Sequence, residues 1–219
     1  MVSAPFQRHP YDPESPEARI VAGALRCIAR WGLSKTTLED IAREAGCSRA
    51  TVYRLFPGGK PALIDAVGQH EISQLLLDVT DQIDAATDLE AMLVEAIGAA
   101  ARFFRDNAAL ATLVQHEPEA LLPILSFDRL DPVLEVVSGF LGPLVARFVD
   151  PRTAAELVEW AARLVLSYTF EPSDFYDVTE PADVRRLVAT HLVPGARVAA
   201  AESGADLTSE LLLEQGATP

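Results

Sequence analysis

The stretch Thr36 to Phe56, TTLEDIAREAGCSRATVYRLF, places two short helical patterns on either side of one Ala-Gly-Cys-Ser break. Its second half carries Arg49 and Arg54 and no acid. Two helices joined by a turn centred on Gly46 match the helix-turn-helix plan, whose second helix lies in the major groove of DNA. Each turn residue has a physical task in that plan. A small Ala45 lets the two helices cross closely, and Gly46 supplies a backbone conformation closed to most residues. Ser48 fixes the start of the second helix, whose orphan N–H groups suit a phosphate. Arg49, Ala50, Thr51, Tyr53 and Arg54 then lie on or near the exposed face.

Other residues capable of chemistry are sparse. The four histidines are His9, His70, His116 and His191. His116 and Glu119 could share a helical face, but Pro118 intervenes and no second such pair exists, whereas metal sites need three or four ligands. No nucleophile elbow, phosphate loop or dinucleotide fingerprint is present. No catalytic residue, metal or cofactor is therefore expected. Cys27 and Cys47 are the two cysteines, outside any CxxC pair, which points to a reducing cytoplasm rather than a disulfide scaffold.

The net charge of −14 is unevenly distributed. Residues 1–60 hold nine Lys and Arg against six Asp and Glu, a balance of +3, and residues 61–219 sum to −17. A mildly basic head on an acidic body suggests that the head alone meets a polyanion. An acidic body also keeps a protein soluble. The N-terminal residues lack an apolar core and do not read as a signal peptide. The apolar stretch Pro132 to Val149 is broken by Glu135, Pro143 and Arg147, so no membrane span is expected.

Periodicity is helical nearly throughout. Residues 1–15 read as a flexible arm, in which Arg8 and His9 either enter a minor groove or stay disordered. Ser15-Pro16-Glu17 opens a first helix, with a cap, a proline at the first helical position and an acid at the positive dipole end. Ile20, Val21, Ala24, Leu25 and Ile28 form its apolar stripe, and Gly32 ends it. The next helix begins at Thr36 or Thr37, each with an acid three residues on, and the sequence does not choose between them. Its inner face is Leu38, Ile41, Ala42 and Ala45. The third helix, capped by Ser48, buries Val52, Tyr53 in part, and Phe56. Pro57-Gly58-Gly59 precedes a long fourth helix from Pro61 to about Thr80. Helices follow at about Leu89–Asn107, Ala108–Gln115, Arg152–Phe170 and Ala182–Leu192. The apolar stretch Pro118 to Val149 should be interrupted around Asp128 to Pro132 and kinked near Gly139, Gly142 and Pro143. EPSDFYDVTEPAD reads as a loop, and the tail has one short amphipathic turn.

The Gly-x-Ser turn, the Val-Tyr-x-x-Phe ending, Trp31-Gly32 and Lys60-x-x-Leu63 together resemble the DNA-binding hairpin of the tetracycline-repressor family over roughly Ala18 to Val67. "LATLVQHEPEALLPIL" is similar to the body of some members. The resemblance implies an all-α fold in which an N-terminal three-helix head, residues 16–60, is joined by a long helix to a larger body, residues 61–219, that binds an effector and dimerises. It implies that Thr37 and Ser48 hold phosphates at helix N-termini, with capping alone and capping plus phosphate contact both open for Thr37. Tyr53 would place its hydroxyl on a phosphate, Arg49 and Arg54 would read base edges, and Ala50 and Thr51 would touch a thymine methyl. Lys60 would add a phosphate contact, although three residues, Pro57, Gly58 and Gly59, stand where many members have two.

The same resemblance implies a sequence-specific, cytoplasmic transcriptional regulator, commonly a repressor, that binds a double-stranded DNA operator as a homodimer through the helices near 152–170 and 182–192. The body would enclose a small effector, with Phe103, Phe104, Phe127, Phe140, Trp160 and Tyr168 as walls or as ordinary core; their character points to an apolar or amphipathic molecule. An effector that prefers one tilt of the fourth helix would change the spacing of the two reading heads. A helical protein-binding adaptor and an enzyme with a site in the helical body are the rival readings.

Overall fold

The computed structural model describes residues 11–120 and 127–199, together with the side chains of these residues except 127–130. Arg8, His9 and the amphipathic turn of the tail lie outside the described residues. Every regular element among the described residues is helical.

Helix α1 spans Pro16–Trp31. Ser15 caps it by accepting a hydrogen bond from the Ala18 N–H, Pro16 occupies its first turn, and Gly32 ends it with φ of 81°. Helix α2 (Leu38–Glu44) is opened by Thr37. The Thr37 side chain accepts from the Asp40 N–H while Asp40 accepts from the Thr37 N–H, a complete capping box. Thr36 is excluded from that task because its side chain is buried and donates to Gly32 O at 2.6 Å. Helix α3 (Arg49–Leu55) is opened by Ser48, which accepts from the Thr51 N–H at 3.1 Å. Helix α4 (Lys60–Ile83) begins one residue before Pro61 and continues past Thr80. Helices α5 (Leu89–Asp106) and α6 (Ala108–His116) follow, with Asn107 capping α6, and a 3-10 turn occupies Pro118–Ala120.

Helix α7 (Phe127–Val145) runs through Asp128 to Pro132 without the expected interruption. Pro132 falls early in the helix, where its missing N–H forfeits one backbone bond. The same helix continues through Gly139, Gly142 and Pro143. Helix α8 spans Pro151–Phe170, with Asp150 accepting from the N–H groups of Arg152 and Thr153. Helix α9 begins at Pro181–Leu187, passes through a π turn at Val188–Leu192 and remains helical over 193–199. The last helix is thus longer than its expected end at Leu192, with Pro194 and Gly195 inside it.

The chain packs as two compact units: Met1–Asp81 with Ala100–Val136, and Gln82–Ala99 with Val137–Pro219. In the first, Ile20, Val21 and Ala24 of α1, Leu38 and Ile41 of α2, Val52 of α3, Phe56, and Leu63 of α4 close one core. Burying side chains of this size contributes about 1.5–3 kcal/mol each, so the packing of three short helices, not their individual propensity, holds them. Helix α6 lies against α1, where Thr112 Oγ1 donates to Ala29 O at 2.9 Å. Asn107 also donates to the half-buried Glu71 carboxylate of α4, whose pKa burial raises. In the second unit, Leu157, Val158 and Val165 of α8 and Val184, Leu187, Val188 and Leu192 of α9 are buried. The loop before α9 is held by Arg186, which donates to Phe175 O at 2.6 Å and stacks over Tyr176 at 4.6 Å.

Candidate nucleic-acid interface

The turn between α2 and α3 is set by Gly46, with φ of 66°. A β-carbon on Gly46 would meet nothing within 4 Å, so the constraint is backbone conformation and not crowding. Ala45 also meets α1. Its β-carbon lies 3.3 Å from where a β-carbon on Gly23 would sit, so Ala45 and Gly23 permit a close approach of α2 to α1. Beside this approach Arg26 Nε donates to Glu44 Oε1 at 2.7 Å, holding that carboxyl below its ordinary pKa.

The core side of α3 is Val52, fully buried. Ser48, Arg49, Ala50, Tyr53 and Arg54 are exposed, and Thr51 is half-buried. Arg49 lies over the Tyr53 ring at 5.4 Å and donates to the Tyr53 hydroxyl at 3.3 Å, a bond that keeps the guanidinium firmly protonated. Tyr53 is 43% exposed, so it is a surface residue and not part of the core. Among the described residues neither Arg49 nor Arg54 forms an ion pair with a carboxylate; Arg49 feels only the longer-range charge of Glu39 on α2. Six other arginines of the described residues do form one: Arg26, Arg43, Arg105, Arg152, Arg163 and Arg186. The exposed, unpaired cations on α3 and the adjoining hydroxyls form a short polar face suited to an anionic duplex.

Besides Tyr53, three residues with expected phosphate roles have internal partners. Thr37 Oγ1 donates to Asp40 Oδ2 at 2.6 Å and accepts from the Asp40 N–H at 3.2 Å. Ser48 Oγ lies 2.9 Å from Thr51 Oγ1. Lys60 Nζ donates to Leu33 O at 2.6 Å, in the loop between α1 and α2.

Residues 20–67 match the model of the tetR family of bacterial regulatory proteins. Over 185 residues the chain is 32% identical to an uncharacterized HTH-type transcriptional regulator of Mycobacterium tuberculosis (strain ATCC 25618 / H37Rv), Rv2250c, covering 81% of this chain and 92% of that protein. The chain belongs to the tetR family. It is a helix-turn-helix transcriptional regulator, and its all-helical architecture is that of the family. The tetR-family repressor AlkX from Dietzia sp. shares the fold with a TM-score of 0.62 at 20% identity, over 83% of this chain and 97% of that one. FadR from Bacillus subtilis, solved in complex with stearoyl-CoA, gives 0.50 at 19% identity, over 80% of this chain and 98% of that one.

Within this tetR-family chain the aromatic residues of the body are dispersed. Phe103 and Phe104 form an edge-to-face pair at 6.0 Å in the first unit, both half-buried. In the second unit Phe140 and Tyr168 are half-buried, Tyr168 stacks edge-on to Tyr176 at 6.4 Å, and Trp160 is 66% exposed. The Phe127 side chain lies outside the described residues. None of the other five lines the open cleft of about 640 Å³ in the second unit, whose walls include Leu89, Val94, Phe148, Arg185, Val193 and Arg197. His116 and Glu119 are exposed, and no cluster of three or more His, Cys, Asp or Glu among the described residues could hold a metal. No helix of the described residues is long and apolar enough to cross a membrane.

The sequence reading missed Glu117. Its carboxylate is buried and accepts from the Ser34 N–H at 3.0 Å, across 83 residues of chain. The Ser34 amide first, then its hydroxyl, holds the pKa of Glu117 below the ordinary range. Its one sequence signal is an acid at the C-terminal end of a helix, where the dipole disfavours it.

Proposed function

We propose that the protein is a cytoplasmic repressor that binds an operator as a homodimer and is released by a small apolar or amphipathic effector. The observation that carries the DNA half is the pair of exposed arginines on α3 that form no ion pair among the described residues. Arg49 and Arg54 read base edges, Ala50 and Thr51 contact thymine methyls, and Ser48, Tyr53 and the α2 start at Thr37 face phosphates. Residues 16–60 act as the reading head and residues 61–219 as the effector-binding and dimerising body.

Two copies are required because one seven-residue helix contacts few bases. A two-fold pair reaches half-sites about one helical turn, ~34–36 Å, apart. Helices α8 and α9 are the proposed dimer faces. Trp160 is a large apolar side chain left open on α8, and Ala182, Ala189 and Gly195 are small exposed positions on α9 that let a partner helix approach. The effector class is supported by two neighbours in fold: AlkX is described as implicated in biodegradation of n-alkanes, and FadR was solved with stearoyl-CoA. An effector that binds the non-fitting state more tightly lowers operator affinity.

Selection of preferred duplexes from a random pool, followed by titration with a long-chain acyl-CoA, tests this reading. The expected result is an inverted repeat whose complex weakens as the acyl-CoA occupies the protein. Binding that ignores duplex sequence and salt supports a helical adaptor instead.

A further inference from the structure

Lys60 and Glu117 each stand where a helix dipole penalises their charge. Lys60 is the first residue of α4, a cation at a positive end; Glu117 is the C-cap of α6, an anion at a negative end. Their side chains nevertheless meet on one peptide group. Lys60 Nζ donates to Leu33 O at 2.6 Å, and Glu117 Oε2 accepts from Ser34 N–H at 3.0 Å. The Leu33 carbonyl and the Ser34 amide are the two ends of a single planar unit. A cation on its oxygen and an anion on its N–H polarise it in the same sense, so each bond strengthens the other. The neighbouring residue is shaped for this arrangement. A β-carbon on Gly32 would collide with the Glu117 carboxylate, and φ at Gly32 is 81°. Thr36, buried at the far end of the loop, ties it back to Gly32 O.

We propose that Lys60 is a positioning residue, one jaw of a clamp whose other jaw is Glu117, and that the clamp fixes the α1–α2 loop and through it the reading hairpin. The inference rests on the DNA-binding reading above. It departs from the phosphate role that the family resemblance implies for Lys60. The loop runs directly into Thr37, the cap of α2, so a displaced Leu33–Ser34 peptide displaces α2 and, through the Gly46 turn, α3. The clamp also ties both α4 and α6 to the loop that precedes the hairpin. Both bonds are made to backbone atoms of the Leu33–Ser34 peptide, and the Ser34 hydroxyl adds to the hold on Glu117.

The test uses the full chain and the duplex it selects, with Lys60→Met, Glu117→Ala and the double variant. Operator affinity is measured against salt, and exchange of the Ser34 amide is followed by NMR. Each single change is expected to weaken binding by about tenfold, and the double change by no more than the worse single. The log–log salt slope of Lys60→Met should equal that of the parent, and Ser34 exchange should accelerate in both singles. A slope shallower by about 0.9 in Lys60→Met would make it a phosphate contact and overturn the proposal. So would fully additive losses or an unchanged Ser34 amide. If Glu117→Ala does not fold, Glu117→Gln keeps an acceptor without its charge, and Lys60→Met alone still decides through slope and exchange. If the parent selects no duplex, the DNA reading fails, while Ser34 exchange still reports on the clamp.

Discussion

Helices α2 and α3 have the same length, seven residues, and opposite electrostatic habits. In LEDIARE the acids Glu39, Asp40 and Glu44 outnumber Arg43, and both Asp40 and Glu44 are engaged by arginines. In RATVYRL two arginines face solvent with no acid on the helix. Helix α2 is therefore electrically closed, serving as a support packed on α1 through Ala45 and Gly23. Helix α3 is electrically open: its arginines form no ion pair among the described residues, and Glu39 of α2 reaches Arg49 only at longer range. The contrast also resolves the overall charge pattern. Some arginines of the acidic body pair along their own helices, as Arg152 with Glu156 and Arg163 with Glu159, while those of α3 do not.

Substitutions on the two helices should separate support from reading. Arg54→Ala on α3 is expected to reduce operator affinity by about 10- to 100-fold, the worth of a bidentate base contact, with no change in melting temperature. A footprint of unaltered selectivity would remove Arg54 from the reading role. Thr37→Ala opens the capping box of α2 and should cost about 1 kcal/mol of stability, measured by denaturant unfolding, with a smaller effect on selectivity than Arg54→Ala. Arg43→Ala breaks only an exposed pair on α2 and should shift the melting temperature by less than about 2 °C.

Acid provides a further comparison. Folding lowers the pKa of Asp40, first through the Thr37 hydroxyl, and that of Glu117, first through the Ser34 amide. A carboxyl depressed on folding adds stability above its unfolded pKa and loses it as pH falls through the folded value. The melting temperature should therefore fall as pH drops below about 4.5, the ordinary glutamate value. Glu117→Gln should show a shallower fall, and identical pH profiles for the two proteins would count against the Glu117–Ser34 bond.

The head was legible because its rules are local. Ser15, Gly32, Gly46 and Ser48 punctuate the helices, and each does so through a cap or a positive φ that a short window of sequence encodes. The choice between Thr36 and Thr37 was not local: burial of Thr36 against the Gly32 carbonyl decides it. The body was less legible where helices tolerate residues that usually stop them. Pro132 sits early in α7, and Pro194 with Gly195 sits inside α9, just beyond the π turn at Val188–Leu192. Glu117 was invisible because its partner lies 83 residues away and is a backbone amide, which no side-chain pattern announces.

The central claim is that DNA supplies the counter-charge and the sequence information for α3. The most direct measurement is the ratio of affinities for the selected duplex and a scrambled one, at a single fixed salt concentration, for the parent and for Arg49→Ala/Arg54→Ala. The account predicts a parental ratio of at least about 10³ that collapses toward one in the double variant while both proteins melt alike. A ratio that survives removal of both arginines would contradict it.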